Sequence, residues 1–529
     1  MADNILTAGT GENLDAIIAR NALKYDLLPY NSNPFPQTHP ARLRGLAQLF
    51  GLKTTPVSGA RILELGCAAG GNIIPLAALY PNAHFVGVDL SRTQVSAGRA
   101  RIAELGLTNI EIRCQSFTEL TNSDGLFDYI ICHGVYSWVP APVRDAVLRI
   151  CSDFLSPTGV AIISYNVLPG WRMLQPLRDA FLMQMPSSID PRTRVTAARQ
   201  LLTFLNNFTT DNGAYKRSLS DWAERLARVP DDYIAHEFLE ETNEPCTFRE
   251  FLDAAARHKL GFLAESDLPS MIVDNLPAET AAQLRAIAGD QLGVTEQYLD
   301  LITARTFRQS ILISETRMGE IKRNLSGESI VGQHLLSGGD LKIIETANGG
   351  CVMSDSAGRQ ISSDSSAVRA ALEKLKDNFP STSSVDALLE GAGDEAAQAL
   401  VRDALFKMCL IGMVIVTSEP VSALNKAPKR PVAIKIARAD AERGEMATTN
   451  LRHERVAFDA LGQLVLPLLD GTLDQAGIVD AVVKQIAAGK LQFARDGVAV
   501  TDPHQRELIA VEQVKAVLPA FARAALLAD

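Results

Sequence analysis

Residues 62–72, ILELGCAAGGN, hold the residue types with the most chemical consequence. An apolar run carries an acid, Glu64, and passes at once into Gly66, Gly70 and Gly71. A strand that turns through glycines can bring its backbone against a ligand, because bulky side chains there would block the approach. The spacing is G-x-x-x-G-G, with Ala68 where a dinucleotide fingerprint needs its second glycine. A pyrophosphate site, and with it a dehydrogenase, is therefore disfavoured. Asp89 ends the next apolar run, 19 residues after Gly70. An acid at such a strand end accepts hydrogen bonds from ribose hydroxyls. A third run ends in Gln115-Ser116-Phe117 and a fourth in CHGVYSWVP, residues 132–140.

The pattern E-x-G-x-x-x-G resembles motif I of class I S-adenosylmethionine-dependent methyltransferases. The resemblance implies that Glu64, Gly66, Gly70 and the adjoining Asn72 cradle the cofactor. Asp89 and Leu90 take its ribose side, and Ser116 and Phe117 its adenine side, although Gln115 stands near where many such enzymes have Asp. His133 either touches the cofactor, acts as a base or is simply packed. At the fourth strand end, where many amino-methylating enzymes carry an Asn-Pro-Pro-Tyr type motif, this chain has His133, Tyr136 and Trp138.

Methyl transfer from a sulfonium is an in-line displacement that needs alignment at near-attack distance and no metal. A lysine acceptor, with a reference pKa near 10.4, must first lose its proton, and an apolar, aromatic site disfavours the charged form. Tyr136, Trp138, Tyr165 and Trp171 could hold a methylated ammonium by cation-π contact. Tyr136 and Trp138 are the expected substrate rim, against the alternative that they are core aromatics. Residues 25–40, rich in proline and aromatics, read as a lid, with Tyr30 its cofactor contact and His39 near its end. Cys67 has no nearby histidine in sequence to activate it and reads as a small turn residue. His236 and Glu237 form no H-E-x-x-H pattern, because position 240 is Glu240.

These positions require elements to hold them. Strands are expected at 60–66, 84–91, 109–116, 126–134 and 160–167, with helices at 72–81, 92–106 and 143–159 between them. Short apolar strands alternating with helices make a doubly wound, mostly parallel α/β sheet. Residues 172–240 read as a helical insertion, and helix-then-strand patterns at 248–268 and 299–315 read as later strands completing the first sheet. The expected units are 1–171, the Rossmann-like cofactor domain; 172–240, a dimerisation element; 241–320, completing the sheet; 321–425, a winged-helix-like module; and 426–529, mostly helical.

With YDLLPYNSNPFPQTHP (25–40), SYNVLPGW (164–171), HEFLEETNEPCTFREFLDAAARHKLGFLAES (236–266), TNLRHE (449–454) and LPLLDGT (466–472), the chain resembles the bacterial, rickettsial-type protein-lysine methyltransferase family. That resemblance implies a class I methyltransferase domain with a methyltransferase regulatory region. It also implies a homodimer, a protein substrate received in an open cavity, and S-adenosylhomocysteine as product. A small-molecule methyltransferase and a degenerate cofactor-binding scaffold are the alternatives; the intact Glu64, Gly66, Gly70 and Asp89 speak against the second.

At 529 residues the chain exceeds one core, and roughly 150 residues per domain gives three or four units. Fifty-one basic against 61 acidic residues, a net charge of -10, argue against broad nucleic-acid binding. Seven scattered cysteines without a CxxC pair favour neither a disulfide framework nor a zinc site. No apolar run approaches the ~20 residues of a membrane span, and the start lacks signal-peptide regions, so a cytoplasmic protein is expected.

Overall fold

The computed structural model describes residue 26 and residues 32–185, 190–210, 212–491, 494–495, 498–500 and 502–528. Its centre is a seven-stranded sheet built from β1 (Arg61–Leu65), β2 (His84–Asp89), β3 (Ile110–Cys114), β4 (Phe127–Cys132), β5 (Leu155–Asn166), β6 (Leu260–Glu265) and β7 (Phe307–Ser314). The order is β3-β2-β1-β4-β5-β7-β6. The first five strands are parallel, and β7 runs antiparallel to both β5 and β6. This is a doubly wound, Rossmann-like sheet, and the late strands complete it.

Side chains alternate along β1. Ile62 joins the core under α1 (Pro40–Leu49), α2 (Ile73–Leu79) and α3 (Arg92–Leu105). Leu63 and Leu65 join the opposite core, under α4 (Ala141–Asp153). Strands buried on both faces read as continuous apolar runs, which is why they were visible in the sequence. β5 begins earlier than the expected residue 160. Leu155 pairs with Phe127, and the register then shifts before Val160 meets Tyr129. Ser156 to Gly159 therefore form an irregular stretch inside the strand rather than a turn before it.

Residues 175–238 form four helices, α5 (Gln175–Gln184), α6 (Pro191–Phe208), α7 (Ala214–Leu226) and α8 (Asp231–Phe238). They enclose a separate apolar cluster that includes Trp138 and Trp171. Then follow α9 (Phe248–Arg257), β6, α10 (Ala278–Ala288), α11 (Leu292–Thr303) and β7. This return to the sheet is locked by Arg308 on β7. Its guanidinium is buried between Asp300 (Nε to Oδ2 2.9 Å), Glu265 (2.9 Å) and Glu296 (3.1 Å), 4.0 Å from the Phe248 ring centre. Glu296 and Asp300 stand four apart on α11, so one helix face supplies both.

Residues 334–417 carry two small antiparallel sheets. One joins Lys342–Glu345, Cys351–Ser354 and Gln360–Ser363; the other has His334–Ser337 between Ser383–Ser384 and Val414–Thr417. Helices Ser366–Asp377, Val385–Leu389 and Glu395–Ile411 pack on them, and the apolar core is continuous with that of the main sheet. Residues 432–528 have a core of their own around the helices Lys435–Glu442, Gln475–Ala487 and Pro503–Arg523.

Arg308→Leu should remove about 3–5 kcal/mol of stability in urea unfolding, because three buried carboxylates lose their counter-charge. A loss under 1 kcal/mol would mean that the cluster relaxes into solvent.

Candidate active site

The carboxyl edge of β1 to β4 gathers the residues singled out in the sequence. After Leu65 the chain turns through Gly66 (φ +75°) and Ala68 (φ +48°) before α2. A Cβ on Gly66 would stand 2.5 Å from the Val135 side chain, and one on Gly71 2.2 Å from the Ser32 carbonyl oxygen. Gly70 has another reason: its Cβ would meet Ile74 and Ile112 at 2.8 Å, so it sets helix-to-strand packing. Ala68 bears a left-handed conformation that costs about 1–2 kcal/mol, and its amide is held by Asp89 Oδ2 at 2.8 Å. The second Asp89 oxygen accepts the Ser91 amide at 2.9 Å. Asp89 thus closes the turn from the tip of β2, with lone pairs left for a ligand.

Glu64 is 4% exposed, and its Oε1 accepts from Asn72 Nδ2 at 2.8 Å. Its Oε2 is buried with no partner among the described residues. Burial pushes this carboxyl up to about 7, against the opposing pull of the Asn72 hydrogen bond. Asn72 also donates to Thr38 Oγ1 at 3.0 Å, and its Oδ1 accepts from the Phe35 amide at 2.9 Å. That oxygen lies 2.8 Å from Nε2 of His453, a residue of the C-terminal unit. The sequence had offered His453 only as part of TNLRHE, with no signal for a place in this site.

Of the expected lid, 25–40, the structure describes residue 26 and residues 32–40: Asp26 Oδ1 accepts from the Ser91 hydroxyl at 2.6 Å, and Ser32 Oγ accepts the Gly71 amide at 2.7 Å. Tyr30 lies outside the described residues. His39 caps α1, its Nδ1 accepting the Ala41 amide at 3.0 Å. Leu90 is half-buried after Asp89. Ser116 caps the short turn Phe117–Glu119 through its hydroxyl, and Glu119 accepts the Ser116 amide at 2.9 Å. Phe117 is buried beside Gly66. Cys67 is buried, and burial, then Asp89 and Glu64, push its thiol far up, so it is no nucleophile.

His133 follows β4 with its ring 4.2 Å from Phe35 and 5.8 Å from Phe307. Its Nδ1 is buried without a partner among the described residues, and burial lowers its pKa to about 4. Tyr136 and Trp138 do not line an open rim. They are 5% and 7% exposed, because α9 and the insertion cover them. Tyr136 meets Phe251 edge-on at 5.5 Å, and Trp138 meets Trp171 at 6.0 Å. Tyr165 is fully buried, stacked on Phe251 at 4.0 Å with its hydroxyl 3.1 Å from Ser310 Oγ. The half-exposed rings beside His133 are instead Phe35 and Phe307, which sequence reasoning missed. Phe307 opens β7 opposite Asn166, the last residue of β5, and so an antiparallel strand puts its first residue at the carboxyl edge.

A family model for a methyltransferase domain matches residues 56–205, and one for a predicted methyltransferase regulatory domain matches residues 230–314. A third, for the PKMT C-terminal winged helix domain, matches residues 429–526, beyond the 321–425 region where the sequence reading placed a winged-helix-like module. An uncharacterized protein of Rickettsia prowazekii (strain Madrid E) is 35% identical over 495 residues, 89% of this chain and 88% of that protein. The structure of PKMT2 from Rickettsia typhi superposes with a TM-score of 0.83 at 27% identity, covering 94% of this chain and 100% of that one. Its complex with AdoHcy superposes with a TM-score of 0.82.

The chain belongs to the rickettsial-type PKMT family. It is accordingly an S-adenosylmethionine-dependent methyltransferase of class I fold. The site of this family member fits that cofactor on its own terms. The buried, unpaired Glu64 oxygen complements a cationic group, Asp89 offers acceptors at a strand tip, and the glycine turn leaves backbone rather than side chains between them.

The Glu64 titration sets a pH dependence. Its folded value, about 7, lies above the ordinary 4.5, so the charged form is disfavoured and the ligand-free chain loses stability as pH rises between them. A ligand ammonium binds the charged form. S-adenosylhomocysteine affinity, measured by calorimetry, should rise about ten-fold from pH 6 to pH 8 and be flat in Glu64→Gln. A flat wild-type profile would remove Glu64 from the binding step.

Proposed function

We propose that this methyltransferase modifies lysine side chains of a protein. The observation that carries the reading is the neutral, aromatic-flanked His133 at the carboxyl edge of β4, beside the glycine turn. Bound S-adenosylmethionine supplies an electrophilic methyl on a sulfonium. A lysine amine entering between Phe35 and Phe307 loses solvation, which favours its neutral, nucleophilic form. The unpaired His133 Nδ1 is an acceptor for an amine N–H and orients the nitrogen. Because His133 titrates near 4, it is neutral at neutral pH, with its one ring proton on Nε2 when Nδ1 accepts, and the lysine proton leaves to solvent. Tyr136, Trp138 and Tyr165 back the loop that carries His133 and keep it rigid.

The near-complete overlap with PKMT2 supports a protein acceptor. Labelled S-adenosylmethionine, the chain and a cell lysate, followed by mass spectrometry, should place methyl groups on lysine Nε. Label confined to solvent-extractable small molecules would sink the reading in favour of a small acceptor. His133→Ala should keep S-adenosylhomocysteine affinity within about three-fold while lowering transfer about ten- to a hundred-fold, as a misplaced reactant does.

The chain acts in this reading as a homodimer in the cytoplasm, through the helical insertion. No helix among the described residues is long and apolar enough to cross a membrane. Phe204 and Phe208, 57% and 69% exposed, form an unpartnered apolar pair 5.1 Å apart on α6. Sedimentation should give a dimer at micromolar concentration for the wild type and a monomer for Phe204→Asp/Phe208→Asp. A monomeric wild type would count against the dimer.

A further inference from the structure

The hairpin that joins Ala447–Thr449 to Arg455–Ala457 sends one side chain out of the C-terminal unit and into the cofactor site. Its tip is tightly built. Asn450 Oδ1 accepts the amides of Arg452 at 2.9 Å and Glu454 at 2.8 Å, Asn450 Nδ2 donates to the Ala524 carbonyl at 2.9 Å, and the Leu451 amide donates to Ala525 at 3.1 Å. Held this way, His453 adopts φ +60°, a conformation uncommon outside glycine, and is 2% exposed. The unit itself is anchored on α3. Lys435 Nζ donates to the Leu105 carbonyl at 2.6 Å, and Arg101 pairs with Asp440 and donates to the Ile436 carbonyl at 3.2 Å.

We propose that His453 is a positioning residue of the cofactor site, acting on Glu64 through the side-chain amide of Asn72. The inference rests on reading that site as the S-adenosylmethionine site. The hydrogen-bond pattern leaves one arrangement. A backbone N–H cannot accept, so the atom of Asn72 facing Phe35 is Oδ1, which leaves Nδ2 to donate to Glu64. Oδ1 is an acceptor only, so His453 Nε2 carries the proton in their 2.8 Å contact. Burial, then the neighbouring His39, hold His453 well below its usual pKa, so it stays neutral. Turning the amide over would set Oδ1 against the Glu64 carboxylate and Nδ2 against two donors. His453 and Phe35 together forbid that turn. Glu64 Oε1 is thereby kept occupied, and the unpaired Oε2 is presented to the ligand cation. The cofactor site is then composite: the sheet supplies the acid, and a unit almost four hundred residues later supplies the donor that keeps its clamp in register.

The test is S-adenosylhomocysteine affinity of the full chain by calorimetry, with the melting temperature of the same samples without ligand. His453→Phe keeps the ring bulk and loses the donor, and binding should weaken about five- to ten-fold, within the range for one hydrogen bond lost from a buried acceptor that keeps its other donor, the Phe35 amide. His453→Gln, whose side-chain amide can donate from about the place of Nε2, should stay within about three-fold of wild type. In an Asn72→Ala background, His453→Phe should bring no further loss. Equal affinity in wild type and His453→Phe, with or without a lower melting temperature, overturns the proposal. Equal losses in the Phe and Gln variants overturn it too, and additive losses with Asn72→Ala overturn the route through Asn72. A wild-type chain that fails to bind S-adenosylhomocysteine overturns the reading of the site, and the inference with it.

Discussion

A carboxylate at the end of a buried strand can stay in place only if donors hold it, and among the described residues Glu64 meets a single one, the amide of Asn72. The arrangement of the nucleotide edge depends on that contact. Asn72 sits at the start of α2, so the direction of this helix is tied to the acid on β1. The same Nδ2 also donates to Thr38, and Oδ1 meets Phe35 and His453, so Asn72 draws the segment ahead of the sheet and the hairpin of the C-terminal unit to one point. The second carboxylate, Asp89, is held differently, by two backbone amides of the turns it closes. Backbone amides survive every substitution but proline, whereas the Glu64 contact depends on the Asn72 side chain. One acid is therefore fixed by the fold and the other by a network.

The opposite end of the sheet depends on charge. Burying Arg308 with Glu265, Glu296 and Asp300 removes several ions from water, a large desolvation cost that close pairing must offset. The geometry that satisfies it brings α11, β6 and β7 together in one register. That register decides which residue of β7 reaches the carboxyl edge. Phe307 does, beside His133, while Arg308 on the other side faces the ion cluster. The network continues through Ser310 to the Tyr165 hydroxyl. The region matched as regulatory is thus physically continuous with β5, whose last residue pairs with Phe307 beside His133.

Between these ends the described histidines of the site are neutral. His133 is held near 4, and His39 likewise near 4, both by burial foremost, and His453 is lower still than the usual range. Neutral imidazoles offer single donors and acceptors without repelling a cationic ligand. An edge lined by neutral rings, with the buried Glu64 and the half-buried Asp89, suits a sulfonium donor, and the burial that keeps these histidines uncharged would equally disfavour a charged amine.

The sequence by itself determined the sheet and its order of elements, and it marked Glu64, Gly66 and Asp89 at the strand ends, because these rest on local signals. Apolar runs of strand length mark buried strands, and Glu64, Gly66 and Asp89 stand at strand ends within about thirty residues of one another. It also marked the late strands at 260–265 and 307–314 as part of the first sheet. Tertiary structure alone decided which aromatics flank His133. Tyr136 and Trp138 sit at the expected strand end, yet α9 and the insertion cover them, and burial depends on what packs from elsewhere. Phe35 and Phe307 carry no local motif and become neighbours of His133 only when the lid segment and an antiparallel strand converge. His453 is the extreme case: the hydrogen bond that places it spans 381 positions, and no periodicity or spacing can encode a contact made by two separately folded cores meeting.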